Sequence, residues 1–154
     1  MKINFKRLLF SILIPLIVGG ISALFTKNSM DIYKNLNLPM LSPPGFIFPI
    51  VWTILFILMG ISAYLISFSE GEEKENAQKI YIIQLILNFI WSIIFFNYNN
   101  YVLSFIVLII LWLFILKMII SFYNINPISG YLQIPYLLWV TFAGYLNFMI
   151  ILLN

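Results

Sequence analysis

Five long apolar runs, separated by shorter polar connections, dominate the chain. The runs cover about residues 5–26, 46–68, 77–98, 101–123 and 131–153. A run of about 20 apolar residues is long enough to cross the roughly 30 Å hydrocarbon core of a bilayer. The pattern therefore predicts an all-α integral membrane protein, one membrane domain over residues 1–154 built as a bundle of five transmembrane helices.

The connections between the runs differ in length and composition. The longest, residues 27–45, is rich in asparagine and proline, and a loop of this length in a compact protein is typical of a functional lid. A charged, solvated turn follows the second run at residues 70–75. The connection at residues 97–100 is so short that the helices on either side of it must be antiparallel neighbours.

The composition agrees with a membrane protein and narrows the chemistry. The chain is 63% hydrophobic and 8% charged, with a mean hydropathy of +1.05, whereas a soluble domain carries about 25% charged residues. It contains no cysteine and no histidine, which excludes disulfides and thiolate nucleophiles and removes the commonest metal ligand and general base. We therefore expect no metal and no resident cofactor, and most ordinary enzyme mechanisms are excluded.

The distribution of basic residues predicts the orientation. Basic residues concentrate on one side of the bilayer under the positive-inside rule, and only Lys27 and Lys34 lie in the long first loop. The basic residues grouped on the other side are Lys2, Lys6, Arg7, Lys74 and Lys79. We expect a multi-pass protein of the cell membrane with its N-terminus in the cytoplasm and its C-terminus outside.

Ionisable residues are almost missing from the runs, which contain no Asp or Glu and only Lys117, close enough to an end to reach the interface. A proton-coupled exporter of the small multidrug type would need a carboxylate within the bundle.

In the first run, Gly19 and Ala23 lie one turn apart and would let another helix approach closely.

Neutral polar residues and large aromatics share helix faces on three of the runs. These residues are Trp52, Phe56, Gly60 and Ala63 on the second run, Gln84, Asn88, Trp91 and Phe95 on the third, and Pro135, Trp139, Ala143, Leu146 and Asn147 on the fifth. Such faces can line an apolar cavity for a flat, hydrophobic ligand. The alternative is helix packing, with Gln84 and Asn88 bonding neighbouring helices and tyrosines such as Tyr136 forming an interfacial belt.

Three blocks of sequence, residues 38–56, 84–91 and 134–147, carry a family resemblance. The first contains Pro43–Pro44 before a helix and Val51–Trp52 within it. Together they resemble the TspO/MBR family, the tryptophan-rich sensory proteins related to the mitochondrial translocator protein, and the likeness covers about residues 5–150. Leu41 and Phe46 stand where the family has tryptophan.

The resemblance implies a bundle of five helices with a cavity open toward the first loop, often as a homodimer in the bacterial cell membrane. Family members bind porphyrins, so the implied function is a membrane receptor or sensor that binds tetrapyrroles of the protoporphyrin IX class and affects their level or transport. The positions that match the family's ligand pocket are Tyr33, Trp52, Phe56, Asn88, Trp91, Trp139, Ala143 and Leu146. Lys27 and Lys34 could meet the propionates of a porphyrin.

Two alternatives to a receptor stay open. Some family members degrade protoporphyrin IX in light, and Tyr33 and Trp139 would be the matching pair for that reaction. A transporter of amphipathic solutes is the other alternative. A specific cholesterol site, known from animal relatives, is unsupported because no basic residue follows Lys117.

Overall fold

The computed structural model describes residues 3–154, and every regular element in that range is helical. The elements are α1 (Phe5–Thr26), a 3₁₀ turn (Lys27–Ser29), α2 (Met30–Asn35), α3 (Ile47–Ile66), α4 (Glu72–Phe96), α5 (Tyr101–Ile125), α6 (Pro127–Tyr131) and α7 (Ile134–Leu153). Within this range, five helical segments are long and apolar enough to cross a membrane. The prediction of an all-α membrane protein with five spanning helices is confirmed. Lys2, used for the orientation, lies outside the described residues.

The helix that follows the charged turn begins earlier than the expected residue 77. It starts at Glu72, directly after Gly71, whose φ of 93° places it in the left-handed region open to glycine. Glu72, Glu73 and Glu75 occupy the first turn of α4, where negative charge is stabilised by the helix dipole. The turn expected over residues 70–75 is therefore mostly helix.

Two connections contain more structure than the apolar pattern predicts. The first connection, residues 27–45, is called the lid segment below, and it contains the 3₁₀ turn and α2. The last connection contains α6, which begins at Pro127 after the N-cap residue Asn126. The Asn126 side chain accepts a hydrogen bond from the Ile128 amide at 3.0 Å, and proline suits a first helical position because it lacks the amide hydrogen.

The helices form an antiparallel bundle in which α1 lies at the periphery and packs on α3 and α4. α1 and α3 approach each other closely at Gly60, where a methyl group would overlap the backbone of Ile12. In the half of the bundle away from the lid segment, Met59, Leu111, Ile115 and Met118 are fully buried. This half is a packed core, and the open space described below lies nearer the lid segment.

Candidate ligand cavity

A cavity of about 600 Å³ lies between α1, α3, α4 and α7, beneath the lid segment. Its walls are mostly apolar and aromatic. Small-molecule sites usually have volumes of about 300–1,000 Å³ and predominantly apolar walls with a few polar groups. The size and lining therefore suit one ligand with several rings.

The structure brings the predicted pocket residues together with one exception. The predicted residues that line the cavity are Tyr33, Trp52, Phe56, Asn88, Trp91, Ala143 and Leu146. Trp139 does not line it, because the ring of Phe48 lies on the cavity side of Trp139 with the two ring centroids 5.9 Å apart. Trp139 thus belongs to a layer behind the cavity wall.

Aromatic rings form a continuous wall along the cavity. The Trp52 ring stacks on the Phe56 ring with a centroid distance of 5.5 Å and an interplanar angle of 28°. Trp52 also lies 6.1 Å from Trp91, which in turn lies 5.9 Å from Phe95. These spacings lie in the range in which aromatic rings attract one another, so the wall presents ring faces and edges from two helices as one surface.

A buried hydrogen-bond network supports this wall from behind. The hydroxyl of Tyr136 donates to Oε1 of Gln84 at 2.7 Å and accepts from Nδ2 of Asn88 at 2.8 Å. The Tyr136 ring also meets the Trp52 ring edge to face at 6.1 Å. Tyr136 is only 1% exposed, so its assignment to an interfacial belt is wrong: the side chain points into the bundle.

The network also shows which of the two α4 amides packs helices together and which one lines the cavity. Gln84 is fully buried and does not line the cavity, so its contacts hold helices together. Asn88 lines the cavity while its Nδ2 is bonded to Tyr136. Asn88 therefore combines helix packing with a place in the cavity wall.

A second network fixes the indole of Trp91. Its Nε1 donates to Oδ1 of Asn147 at 3.3 Å, and the Ser104 hydroxyl donates to the same oxygen at 3.0 Å. The amide nitrogen of Asn147 donates to the Tyr101 carbonyl at 2.9 Å. Because α4, α5 and α7 all contribute, the orientation of Trp91 is set by three helices.

Charge is nearly absent from the cavity. No Asp or Glu lines it, and Lys27, at the start of the lid segment, is the only charged residue among the described residues that do. Residues 3–154 contain no cluster of three or more potential metal-binding side chains. The cavity can therefore offer ring faces, neutral amides and one cation.

The lid segment is fastened to the bundle at two places. The Ser29 hydroxyl donates to Oδ1 of Asn97 at 3.1 Å. Further along, the backbone amide of Asn37 donates to Oδ1 of Asn154 at 3.0 Å, and Nδ2 of Asn154 donates back to the Asn37 carbonyl at 3.2 Å. These bonds tie the lid segment to the ends of α4 and α7.

Tyr33 fills the space under the lid segment. Its ring is 5% exposed and lies 5.6 Å from Phe48 and 6.4 Å from Phe96, measured between centroids. The lid end of the cavity is therefore closed by packed aromatic rings.

The sequence pattern missed Phe48 and the Asn37–Asn154 pair. Phe48 lies four residues before Trp52, so helical spacing alone could have added it to the same face of α3. The asparagine pair joins positions 117 residues apart, and no local pattern indicates such a contact.

Comparison with known proteins agrees with the resemblance noted from the sequence. The profile of the TspO/MBR family matches residues 11–153. The chain is 37% identical over 143 residues to the tryptophan-rich protein TspO of Chlorobaculum tepidum, covering 90% of each chain. It is 36% identical to the protein of the same name from Archaeoglobus fulgidus, covering 98% of this chain and 99% of the relative. It is 28% identical over 140 residues to the translocator protein of Bos taurus, covering 88% of this chain and 83% of the relative.

Proposed function

The chain belongs to the TspO/MBR family, and we propose that it is a membrane receptor or sensor that binds tetrapyrroles of the protoporphyrin IX class, and similar flat hydrophobic molecules, in the cavity beneath the lid segment. Binding would report or affect the level or transport of the porphyrin. The protein is a multi-pass integral membrane protein with bacterial relatives.

The aromatic wall is the observation that carries this proposal. A porphyrin is a flat, largely apolar macrocycle, and Trp52, Phe56 and Trp91 give it rings to pack against without any buried carboxylate to repel its acidic groups. Ring pairs of this kind contribute about 0.5–1.5 kcal/mol each beyond the burial of their area. Asn88 adds a neutral amide to the wall.

The single cation of the cavity suits the acidic side of the same ligand. Lys27 lines the cavity and lies at the end of α1, where a propionate could meet it while the macrocycle lies deeper. Lys34 is less suited, because it is exposed and pairs with Asp31 at 3.5 Å. Exposed ion pairs contribute only about 0–1 kcal/mol.

We also propose that the lid segment lies outside the cytoplasm. Arg7 and Lys74 both donate to the Ser67 carbonyl, so the basic residues before α1 and after α3 meet at one end of the bundle. Lys27 and Lys34 lie at the opposite end. The positive-inside rule assigns the first end to the cytoplasm.

No observation favours light-driven degradation or transport over binding. The pair expected for degradation, Tyr33 and Trp139, has the Phe48 ring between its members. For a transporter, the described residues offer no acidic group in the cavity to couple movement to protons.

The proposal is tested by titrating the protein in lipid vesicles with protoporphyrin IX and following quenching of tryptophan fluorescence. We expect saturable quenching, and Trp52→Phe should weaken the affinity about fivefold, because the loss of one ring contact of about 1 kcal/mol corresponds to that factor. Trp112→Phe is the matched control, because Trp112 bonds Thr141 away from the cavity at 2.8 Å. Non-saturable quenching, or equal weakening by both substitutions, would contradict the proposed site.

A further inference from the structure

Most sides of the cavity are closed. The lid segment closes one end through the ring of Tyr33 and through the hydrogen bonds between Asn37 and Asn154. In the opposite half, α1 and α3 are in close contact at Gly60, and a methyl group at Gly19 would lie 2.7 Å from Cδ2 of Phe56. A ligand therefore has no path along the bundle axis in this closed arrangement.

The seam between α1 and α4 is closed as well. The Ser22 hydroxyl donates to the Ser92 hydroxyl oxygen across this seam at 2.8 Å. Across the same seam, the ring of Phe25 meets that of Phe89 edge to face at 6.2 Å. On the other sides, α3 and α7 meet through the ring pairs Phe48–Trp139 and Trp52–Tyr136, and α4 and α7 meet through the Trp91–Asn147 hydrogen bond. The seam between α1 and α3 is the remaining side.

The seam between α1 and α3 is open near the lid end. Gly20 and Ala23 on α1 and Pro49 and Thr53 on α3 line the cavity, yet all four are exposed on the protein surface. At Gly20 an added Cβ would meet no atom within 4 Å. The cavity wall is therefore missing between these two pairs of residues.

This gap faces the hydrocarbon of the bilayer. Its flanking residues on the same helices are large, apolar and 53–67% exposed: Ile17 and Leu24 on α1, and Ile50 and Ile54 on α3. The one hydroxyl of the rim, that of Thr53, donates to the Pro49 carbonyl at 2.7 Å, so the rim presents no free donor to lipid.

We propose that the gap between α1 and α3 is a lateral portal, through which amphipathic molecules dissolved in the membrane pass directly between the bilayer and the cavity. This proposal depends on the proposed function only for the identity of the ligand that passes through the portal. Lys27 lies at the end of α1 beside the portal, so the carboxylate of a ligand can stay near the head groups while its apolar part moves sideways into the cavity.

The absence of cysteine from the chain allows a test that needs no porphyrin. Ala143→Cys places one thiol in the cavity wall on α7, away from the contacts that close the seam between α1 and α4. In vesicles, its labelling rate is measured with N-(1-pyrenyl)maleimide, which dissolves in the bilayer, and with a charged, water-soluble maleimide, so that the reactive group is the same in both reagents. We expect the membrane-dissolved reagent to react and the charged reagent to be slower.

Blocking the portal should then slow labelling from the membrane. Gly20→Trp fills the gap, whereas its control Ile21→Trp adds the same ring to an exposed position that does not line the cavity. We expect at least about a tenfold slower reaction with pyrenylmaleimide for Gly20→Trp, an added barrier of about 1.4 kcal/mol, and no change for the control. Thr53→Trp closes the gap from α3, with Ile54→Trp as its control, in case the first variant does not fold.

The outcomes separate the possible routes. Equal rates in the blocked and control variants, or faster reaction of the charged reagent, would overturn the portal. If access runs under the lid, Asn154→Ala should accelerate pyrenylmaleimide while Gly20→Trp leaves its rate unchanged, and that result would contradict the portal. Because no porphyrin is used, these results are independent of the fluorescence titration: a protein that labels through the portal but does not bind protoporphyrin IX would refute only the proposed function.

Discussion

The hydroxyl of Tyr136 is the group whose removal tests the support of the cavity wall most directly. Tyr136→Phe keeps the ring, including its edge-to-face contact with Trp52, and removes only the oxygen that joins Gln84 to Asn88. The two amides then respond differently, because Asn88 lines the cavity whereas Gln84 is fully buried.

The expected loss follows from that difference. An orphaned buried polar group costs about 1–3 kcal/mol, and this applies to Oε1 of Gln84. Side-chain hydrogen bonds between membrane helices average about 0.6 kcal/mol, which is the scale for Asn88, whose amide can turn toward the cavity. We therefore expect Tyr136→Phe to lower the free energy of unfolding by about 1.5–3.5 kcal/mol.

Reversible unfolding in mixed detergent micelles, followed by far-ultraviolet circular dichroism, measures this loss. The control is Tyr98→Phe, because Tyr98 is 75% exposed. The double variant Tyr136→Phe with Gln84→Met should recover most of the stability, since replacing both partners by apolar groups removes the unpaired acceptor. A Tyr136→Phe protein as stable as wild type, or a double variant less stable than the single one, would refute the reasoning.

Two further predictions concern the helix contact and the aromatic layer behind the wall. Gly60→Ala should destabilise the protein by about 1–3 kcal/mol, because the new methyl group overlaps the backbone of α1. Thermal unfolding measures the loss against the control Gly20→Ala, where an added Cβ meets nothing within 4 Å. Equal melting temperatures of the two variants would contradict the prediction. Trp139→Phe should change the affinity for protoporphyrin IX by less than about twofold, or about 0.4 kcal/mol, because Phe48 separates Trp139 from the cavity. A tenfold loss of affinity in the fluorescence titration, or slower loss of porphyrin absorbance in light, would assign Trp139 a direct role.

The helices of this protein are predictable because each span carries its own signal. Twenty apolar residues in a row indicate a membrane helix without reference to any other part of the chain. Helical spacing likewise placed Trp52 with Phe56, and Asn88 with Trp91, on cavity-lining faces. Such features depend only on the residues of one helix.

Features that depend on two distant segments could not be predicted in the same way. Tyr136 follows Pro135 at the start of α7, the usual place of an interfacial tyrosine, and only the packing of α7 against α4 turns it toward Gln84 and Asn88. Trp139 shares a helical face with Ala143, but whether it reaches the cavity depends on Phe48 of α3.

The small residues of α1 illustrate why one sequence signal can have two physical meanings. Glycine and alanine in a membrane helix are usually explained by close approach of another helix, and Gly19 fits that explanation because the ring of Phe56 lies against it. Gly20 and Ala23 do not, since both are exposed and nothing lies near an added Cβ at Gly20. A larger side chain at Gly20 would cause no clash but would close the gap through which the cavity meets the bilayer. Small side chains at Gly20 and Ala23 therefore keep the cavity accessible from the bilayer. They would be needed for this access even if larger side chains let α1 pack equally well.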